Sequence, residues 1–231
     1  MNIKIFADGS DKKEIFDLYE NNPLVKGFTT NPSLMKKAGV TDYVGFIKEV
    51  TEKIKDLPLS FEVIADDSEG MLYQAQKIAE FGSNIYVKIP ITNTKKEPTI
   101  NVIETLINKD IKVNITAVFT TIQMDNLKSV LPNNKSNIVS IFAGRIADTG
   151  RNPIPYITYG LQFLKNQCEI LWASTRSVYN VYEAEESGCD IITVTTDQIK
   201  KLSLGGKCLA EYSLETVKMF YADACSSGLV L

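Results

Sequence analysis

Asn84-Ile85-Tyr86-Val87-Lys88-Ile89-Pro90 sets a lysine in the middle of an apolar run. Successive side chains of a β-strand point to opposite faces, so Ile85, Val87 and Ile89 share one face and Tyr86 and Lys88 the other. The first face can pack beneath helices. The second carries an amine into the interior of whatever the strand builds. A desolvated amine has one characteristic chemistry, attack on a carbonyl to give a Schiff base. The competing reading is a lysine that snorkels from a strand end to solvent. The apolar Ile89-Pro90-Ile91 that follows Lys88 argues against it.

Reading outward, similar runs recur at Ile3–Phe6, Val25–Phe28, Leu59–Ile64, Lys112–Ala117, Ile138–Phe142, Glu169–Ala173 and Asp190–Val194, eight with Ile85–Ile89. Between them lie segments with helical spacing, among them Glu69–Glu80, Thr99–Asn108, Ile122–Val130, Pro155–Leu164 and Ser177–Glu186. Alternating strand and helix implies parallel strands joined by right-handed crossovers. Eight units in 231 residues predict a closed (β/α)8 TIM barrel, an α/β fold of about 250 residues. The alternative is an open doubly wound sheet, but no Gly-rich phosphate loop follows the first run. The whole chain, 1–231, reads as one barrel domain with an additional C-terminal helix near Leu209–Ala224 and an apolar tail, Leu229–Leu231.

The parity argument extends to the neighbouring runs. Ser60 and Glu62 oppose Phe61 and Val63; Asn114 and Thr116 oppose Val113 and Ile115; Ser140 and Phe142 oppose Val139 and Ile141. If the apolar parity packs under helices, Glu62, Lys88, Asn114, Thr116 and Ser140 converge at the C-terminal mouth, where barrel enzymes carry out their chemistry.

Composition narrows the choices. The chain has no histidine, so acid–base duty falls on carboxylates, Lys, Tyr or water. Net charge is −3, with 25 basic and 28 acidic residues well mixed, which argues against a nucleic-acid or anionic-membrane partner. Only Arg145, Arg151 and Arg176 among the basic residues are arginine. In a chain that otherwise uses lysine, they are candidates for bidentate anion recognition. Cys168, Cys189, Cys208 and Cys225 form no C-x-x-C pair; reduced, mostly buried thiols are expected, and no metal site. No stretch approaches the ~20 apolar residues of a membrane span, and nothing near Met1 reads as a signal peptide. A soluble cytoplasmic protein is expected.

Further candidates lie at strand ends. Asp8 closes the first run, where a carboxylate can remove and return hydroxyl protons; the rival role is a cap for the helix beginning near Asp11. Glu62 can hold and activate a water, or form an ion pair with Lys88. Asn31 precedes Pro32, which disfavours helical backbone there, so its amide can face substrate hydroxyls while Pro32-Ser33 starts a helix. Arg145, Arg176 and the Ser174 hydroxyl follow late strands and suit a phosphate; surface ion pairs are the alternative for the arginines. Arg151 has no assigned role.

Taken together, Gly27-Phe28-Thr29-Thr30-Asn31-Pro32-Ser33, Tyr86-Val87-Lys88-Ile89-Pro90, Asn114-Ile115-Thr116 and Ala173-Ser174-Thr175-Arg176 resemble the transaldolases. The similarity is to the short branch that includes the fructose-6-phosphate aldolases. That resemblance implies a class I mechanism on sugar phosphates with no cofactor and no metal, the protonated imine being the electron sink. It implies that Lys88 forms the Schiff base and Asp8 takes the C4 hydroxyl proton. Glu62 and Thr116 would hold a water, Asn31, Asn114 and Ser140 would bind hydroxyls, and Arg145, Arg176 and Ser174 would bind phosphate. Glu62 and Phe142 stand where the simple aldolases carry glutamine and tyrosine. This implies transfer of a dihydroxyacetone unit to an acceptor aldehyde, as in the pentose phosphate pathway, rather than its release. Thr175 departs from the phenylalanine common in Ala-Ser-Phe-Arg. By the same resemblance the chain forms a ring-like homo-oligomer, a pentamer or decamer. A fructose-6-phosphate aldolase, a relative acting on another sugar and a non-catalytic sugar-phosphate-binding barrel are the competing readings.

Overall fold

Residues 2–228 are described by the structure, a computed structural model. The elements run β1 (Lys4–Asp8), α1 (Lys12–Asn21), β2 (Val25–Thr29), α2 (Pro32–Lys37), α3 (Tyr43–Lys53), β3 (Leu59–Glu62), α4 (Ser68–Ala79) and β4 (Ile85–Pro90). They continue with α5 (Ile100–Ile107), β5 (Val113–Val118), α6 (Thr121–Leu127), β6 (Asn137–Ile141), α7 (Ala143–Asp148), α8 (Ile154–Phe163) and β7 (Cys168–Trp172). The last are α9 (Tyr179–Glu186), β8 (Ile191–Val194), α10 (Thr196–Lys201), a 3-10 turn (Leu202–Leu204) and α11 (Leu209–Ser227). All strands are parallel, and β8 pairs with β1, so the sheet closes into an eight-stranded barrel. The eight-unit reading is borne out and the open sheet is not.

Local chemistry starts the helices where the sequence places them. Asp11, Asp42 and Asp67 cap α1, α3 and α4 by accepting backbone N–H groups, and Thr120 and Gln123 form a capping box on α6. It is therefore Asp11, not Asp8, that caps α1, which leaves Asp8 at the mouth. β6 ends at Ile141, so Phe142 belongs to the turn into α7 rather than to the strand.

Parity decides the packing. Val87, Ile89, Val113, Ile115, Val139 and Ile141 are fully buried on the outer wall. Inside the barrel, Phe6, Ile138, Leu171, Ala173 and Ile191 form an apolar plug against which Tyr86 and Phe142 pack. Phe6, Tyr86, Ile138 and Ile191 each lie two residues ahead of Asp8, Lys88, Ser140 and Thr193 on the same strand. An apolar floor thus carries a polar mouth.

The chain divides into two compact units, the barrel through Ile199 and a second unit from Lys200. In the second unit, α11 has no buried residue and exposes Leu209, Val217, Phe220 and Tyr221. The tail Leu229–Leu231 lies outside the described residues. Cys168 and Cys189 are buried, and burial pushes both thiols up to about 12. Cys208 and Cys225 are exposed, so the expectation of mostly buried thiols holds for two of the four. Both exposed ones sit in the second unit, on or beside the unburied α11. Among the described residues no helix is long and apolar enough to cross a membrane.

Candidate active site

The mouth holds a cavity of about 480 Å³, and all eleven candidate side chains line it. Lys88 is 6% exposed, so it does not snorkel to solvent. The β3–β4 register sets Glu62 opposite Lys88, and their charged groups lie 3.3 Å apart. The Lys88 amine also donates to the Thr30 carbonyl at 2.7 Å. Asp8 accepts a hydrogen bond from the Thr29 hydroxyl at 2.7 Å. Burial raises the Asp8 carboxyl above the ordinary carboxylate range, against the opposing pull of Lys88 and the Thr29 hydroxyl. Glu62 is held from behind, because the Tyr43 hydroxyl donates to its backbone carbonyl at 2.8 Å.

Further polar groups reach the cavity from the β2–α2 turn, β5 and β6. The Asn31 side-chain oxygen caps α2 by accepting from the Leu34 N–H at 3.0 Å, which leaves its NH2 for a ligand. Asn114 is fully buried. Its oxygen accepts from the Ser140 hydroxyl at 2.6 Å, and its nitrogen donates to the Ser60 hydroxyl at 3.1 Å. The Thr116 hydroxyl is buried and has no hydrogen-bond partner among the described residues, so it is available to a ligand. Ala117, the next residue, adopts φ +58 where the β5–β6 register shifts. This bulge lies on the cavity wall, and such bulges re-aim side chains at barrel rims.

At the other end stand Arg145, Ser174 and Arg176. Arg145 lies over the Phe142 ring, 5.7 Å from its centroid, and that ring packs on Phe119. Ser174 adopts φ +67, a left-handed conformation uncommon for a residue with a side chain. Its carbonyl crowds Gly144 so closely that a Cβ there would sit 1.6 Å from the oxygen. Glycine is thus required where the start of α7 meets the end of β7. Arg176 lines the cavity, but its guanidinium is held bidentately by Asp148, with Nε 3.1 Å from each carboxylate oxygen and Nη2 also bonded. The ion pair and the cavity position therefore coexist. Among the described residues Arg151 donates to the nearby Thr149 hydroxyl at 2.8 Å, and it does not line the cavity.

The chain that gathers a lysine, two carboxylates and two arginines at this mouth also matches a known family over most of its length. The family model for "Transaldolase/Fructose-6-phosphate aldolase" matches residues 5–227. The chain belongs to this family. A "Probable transaldolase" of Methanococcus maripaludis is 34% identical over 203 residues, covering 87% of this chain and 89% of that protein. A "Probable transaldolase" of Brucella ovis is 34% identical over 229 residues, 98% of each chain. Among solved structures, 3-hexulose-6-phosphate synthase from Salmonella typhimurium superposes with a TM-score of 0.60 at 17% identity, covering 85% of this chain and 89% of that one. This last likeness shows the barrel fold alone. The protein is thus an enzyme of the transaldolase/aldolase family, as the sequence motifs implied.

Against that family background, several cavity residues carry no role in the sequence reading. Thr175, the departure from the common phenylalanine, bonds the Thr193 carbonyl through its hydroxyl and ties the β7 loop to β8. Thr193, Thr195 and Gln198 extend this polar wall. Thr29 and Thr30 belong to the Thr-Thr-Asn-Pro motif, and nothing local in the chain distinguishes their roles. Tyr43 and Asp148 had no signal, because nothing local marks a tyrosine in a helix or an aspartate after an arginine as part of a site.

Proposed function

We propose that this enzyme is a transaldolase that moves a dihydroxyacetone unit from a ketose phosphate to an aldose phosphate by Schiff-base chemistry. The donors are sedoheptulose 7-phosphate or fructose 6-phosphate, and the acceptors glyceraldehyde 3-phosphate or erythrose 4-phosphate, as in the pentose phosphate pathway. The observation that carries the reading is the buried Lys88 amine beside Glu62, in one cavity with Asp8 and an arginine pair.

In this reading Lys88, after losing a proton, attacks the C2 carbonyl, and loss of water from the carbinolamine leaves an iminium ion. Glu62 and Thr116 hold that water. Asp8 takes the C4 hydroxyl proton, the C3–C4 bond breaks and its electron pair moves into the iminium to give an enamine. The aldose leaves, the acceptor aldehyde enters, and the steps reverse with Asp8 returning the proton. Asn31, Asn114 and Ser140 bind hydroxyls of the three-carbon unit. Arg145, Arg176 and Ser174 bind phosphate, and Phe142 supports Arg145. The protein acts in the cytoplasm.

We further propose a ring-like homo-oligomer, a pentamer or decamer, on the strength of the family resemblance and the unburied apolar side chains of α11.

Fructose 6-phosphate supplied with and without erythrose 4-phosphate tests the reading. Turnover that depends on the acceptor supports transfer; free dihydroxyacetone at the same rate in both arms indicates an aldolase instead. Borohydride in the presence of donor is expected to leave a three-carbon adduct on Lys88. No adduct, or one on another lysine, would favour a binding protein or a different nucleophile.

A further inference from the structure

The buried polar groups of the mouth converge on one side chain with no role assigned so far, Ser60. It sits on the inward parity of β3, two residues before Glu62, and is 1% exposed. Its carbonyl accepts both the Thr30 N–H at 3.1 Å and the Thr30 hydroxyl at 3.2 Å. The Thr30 carbonyl in turn receives the Lys88 amine at 2.7 Å. Its hydroxyl bonds the Asn114 amide, which Ser140 brackets from the other side. One residue therefore ties the β2 end that receives the lysine to the β5–β6 pair that faces a ligand's hydroxyls.

We propose that Ser60 is a positioning residue of this site, holding the Asn114 amide plane through its side chain. Asn114 is fully buried, and with Ser60 and Ser140 on its two sides the amide cannot rotate without breaking a buried hydrogen bond. It keeps one N–H and one oxygen lone pair for a ligand. The side chain is the testable half, because the carbonyl link to Thr30 survives substitution.

The proposal rests on the transaldolase reading for its kinetic test, and a second measurement is free of that reading. Ser60→Ala is expected to lower kcat/KM for the ketose about tenfold, the worth of one buried hydrogen bond at a binding amide. The double variant S60A/N114A is expected to fall no further than N114A, within about twofold, because the two groups act as one. Ser60→Thr, which keeps the hydroxyl, is expected to recover most of the loss; if its methyl prevents folding, the cycle still decides. A merely structural serine would give multiplicative losses. Wild-type kcat/KM in S60A, or multiplicative losses in the cycle, would overturn the proposal. The side-chain amide NMR signal that disappears in N114A should shift and exchange faster with water in S60A. An unmoved signal overturns the proposal whatever the reaction proves to be. Absence of a borohydride adduct in the wild type would count against the transaldolase reading alone.

Discussion

Four side chains at the barrel mouth have separable consequences. Lys88→Ala is expected to reduce transfer to background while far-UV circular dichroism stays native, since one amine among many wall contacts is lost. Residual turnover above background would indicate a different nucleophile. Asp8 behaves differently, because burial raises its carboxyl above the value in the unfolded chain. Between those two values the folded protein binds more protons than the unfolded one, so Asp8 removes stability as pH rises through that window. Above the window the loss is complete. Asp8→Asn should therefore be more stabilising at pH 7 than near pH 4, by thermal unfolding, while activity drops by about 10²–10⁴-fold. An equal change in melting temperature at both pH values would remove the burial argument. The Thr29 hydroxyl pulls the other way, favouring the charged carboxylate. Thr29→Val should move the acid limb of the kcat/KM profile to higher pH; an unmoved limb would mean that this limb belongs to another group. Arg176→Ala should raise KM for phosphorylated substrates by about tenfold with kcat little changed, because it removes binding common to ground and transition states.

Where elements meet, the junction of α7 with β7 is the most constrained. Ser174 bends left-handed and its carbonyl occupies the space a side chain at Gly144 would need. Gly144→Ala is expected to cost about 1–3 kcal/mol or more by denaturant unfolding, since both contacts are backbone and cannot rotate away. It should also raise KM for phosphorylated substrates, because the shift moves the loop that carries Ser174 and Arg176. A stable variant with unchanged KM would show that the loop relaxes freely. At the same level, the bulge at Ala117 and the capping by Asn31 show how element ends serve the site. Asn31 satisfies the first turn of α2 with its oxygen, which leaves its NH2 group for a ligand.

For the molecule as a whole, closure of the sheet brings Asp8 of β1, Lys88 of β4 and Ser140 of β6 to one cavity. The second unit raises the question of assembly. On the proposed assembly, a 19-residue helix that exposes several large apolar side chains and buries none is covered by another copy. Phe220→Glu should lower the mass measured by light scattering while leaving the barrel's circular dichroism intact. An unchanged mass would separate α11 from assembly.

Strand parity around Lys88 and the eightfold repeat were legible in the chain because both depend on local periodicity. They sufficed to predict the barrel and the convergence of Glu62, Lys88, Asn114, Thr116 and Ser140 on the cavity they line. Strand and helix limits moved by a few residues at most, as hydrogen bonding at element ends depends on neighbours. The partners that hold the candidates were not legible. Tyr43 reaches Glu62 across 19 residues, Asp148 reaches Arg176 across 28 and Ser60 reaches Asn114 across 54. Those separations become a few ångströms only when the barrel closes, and no local pattern records which polar side chain will meet which.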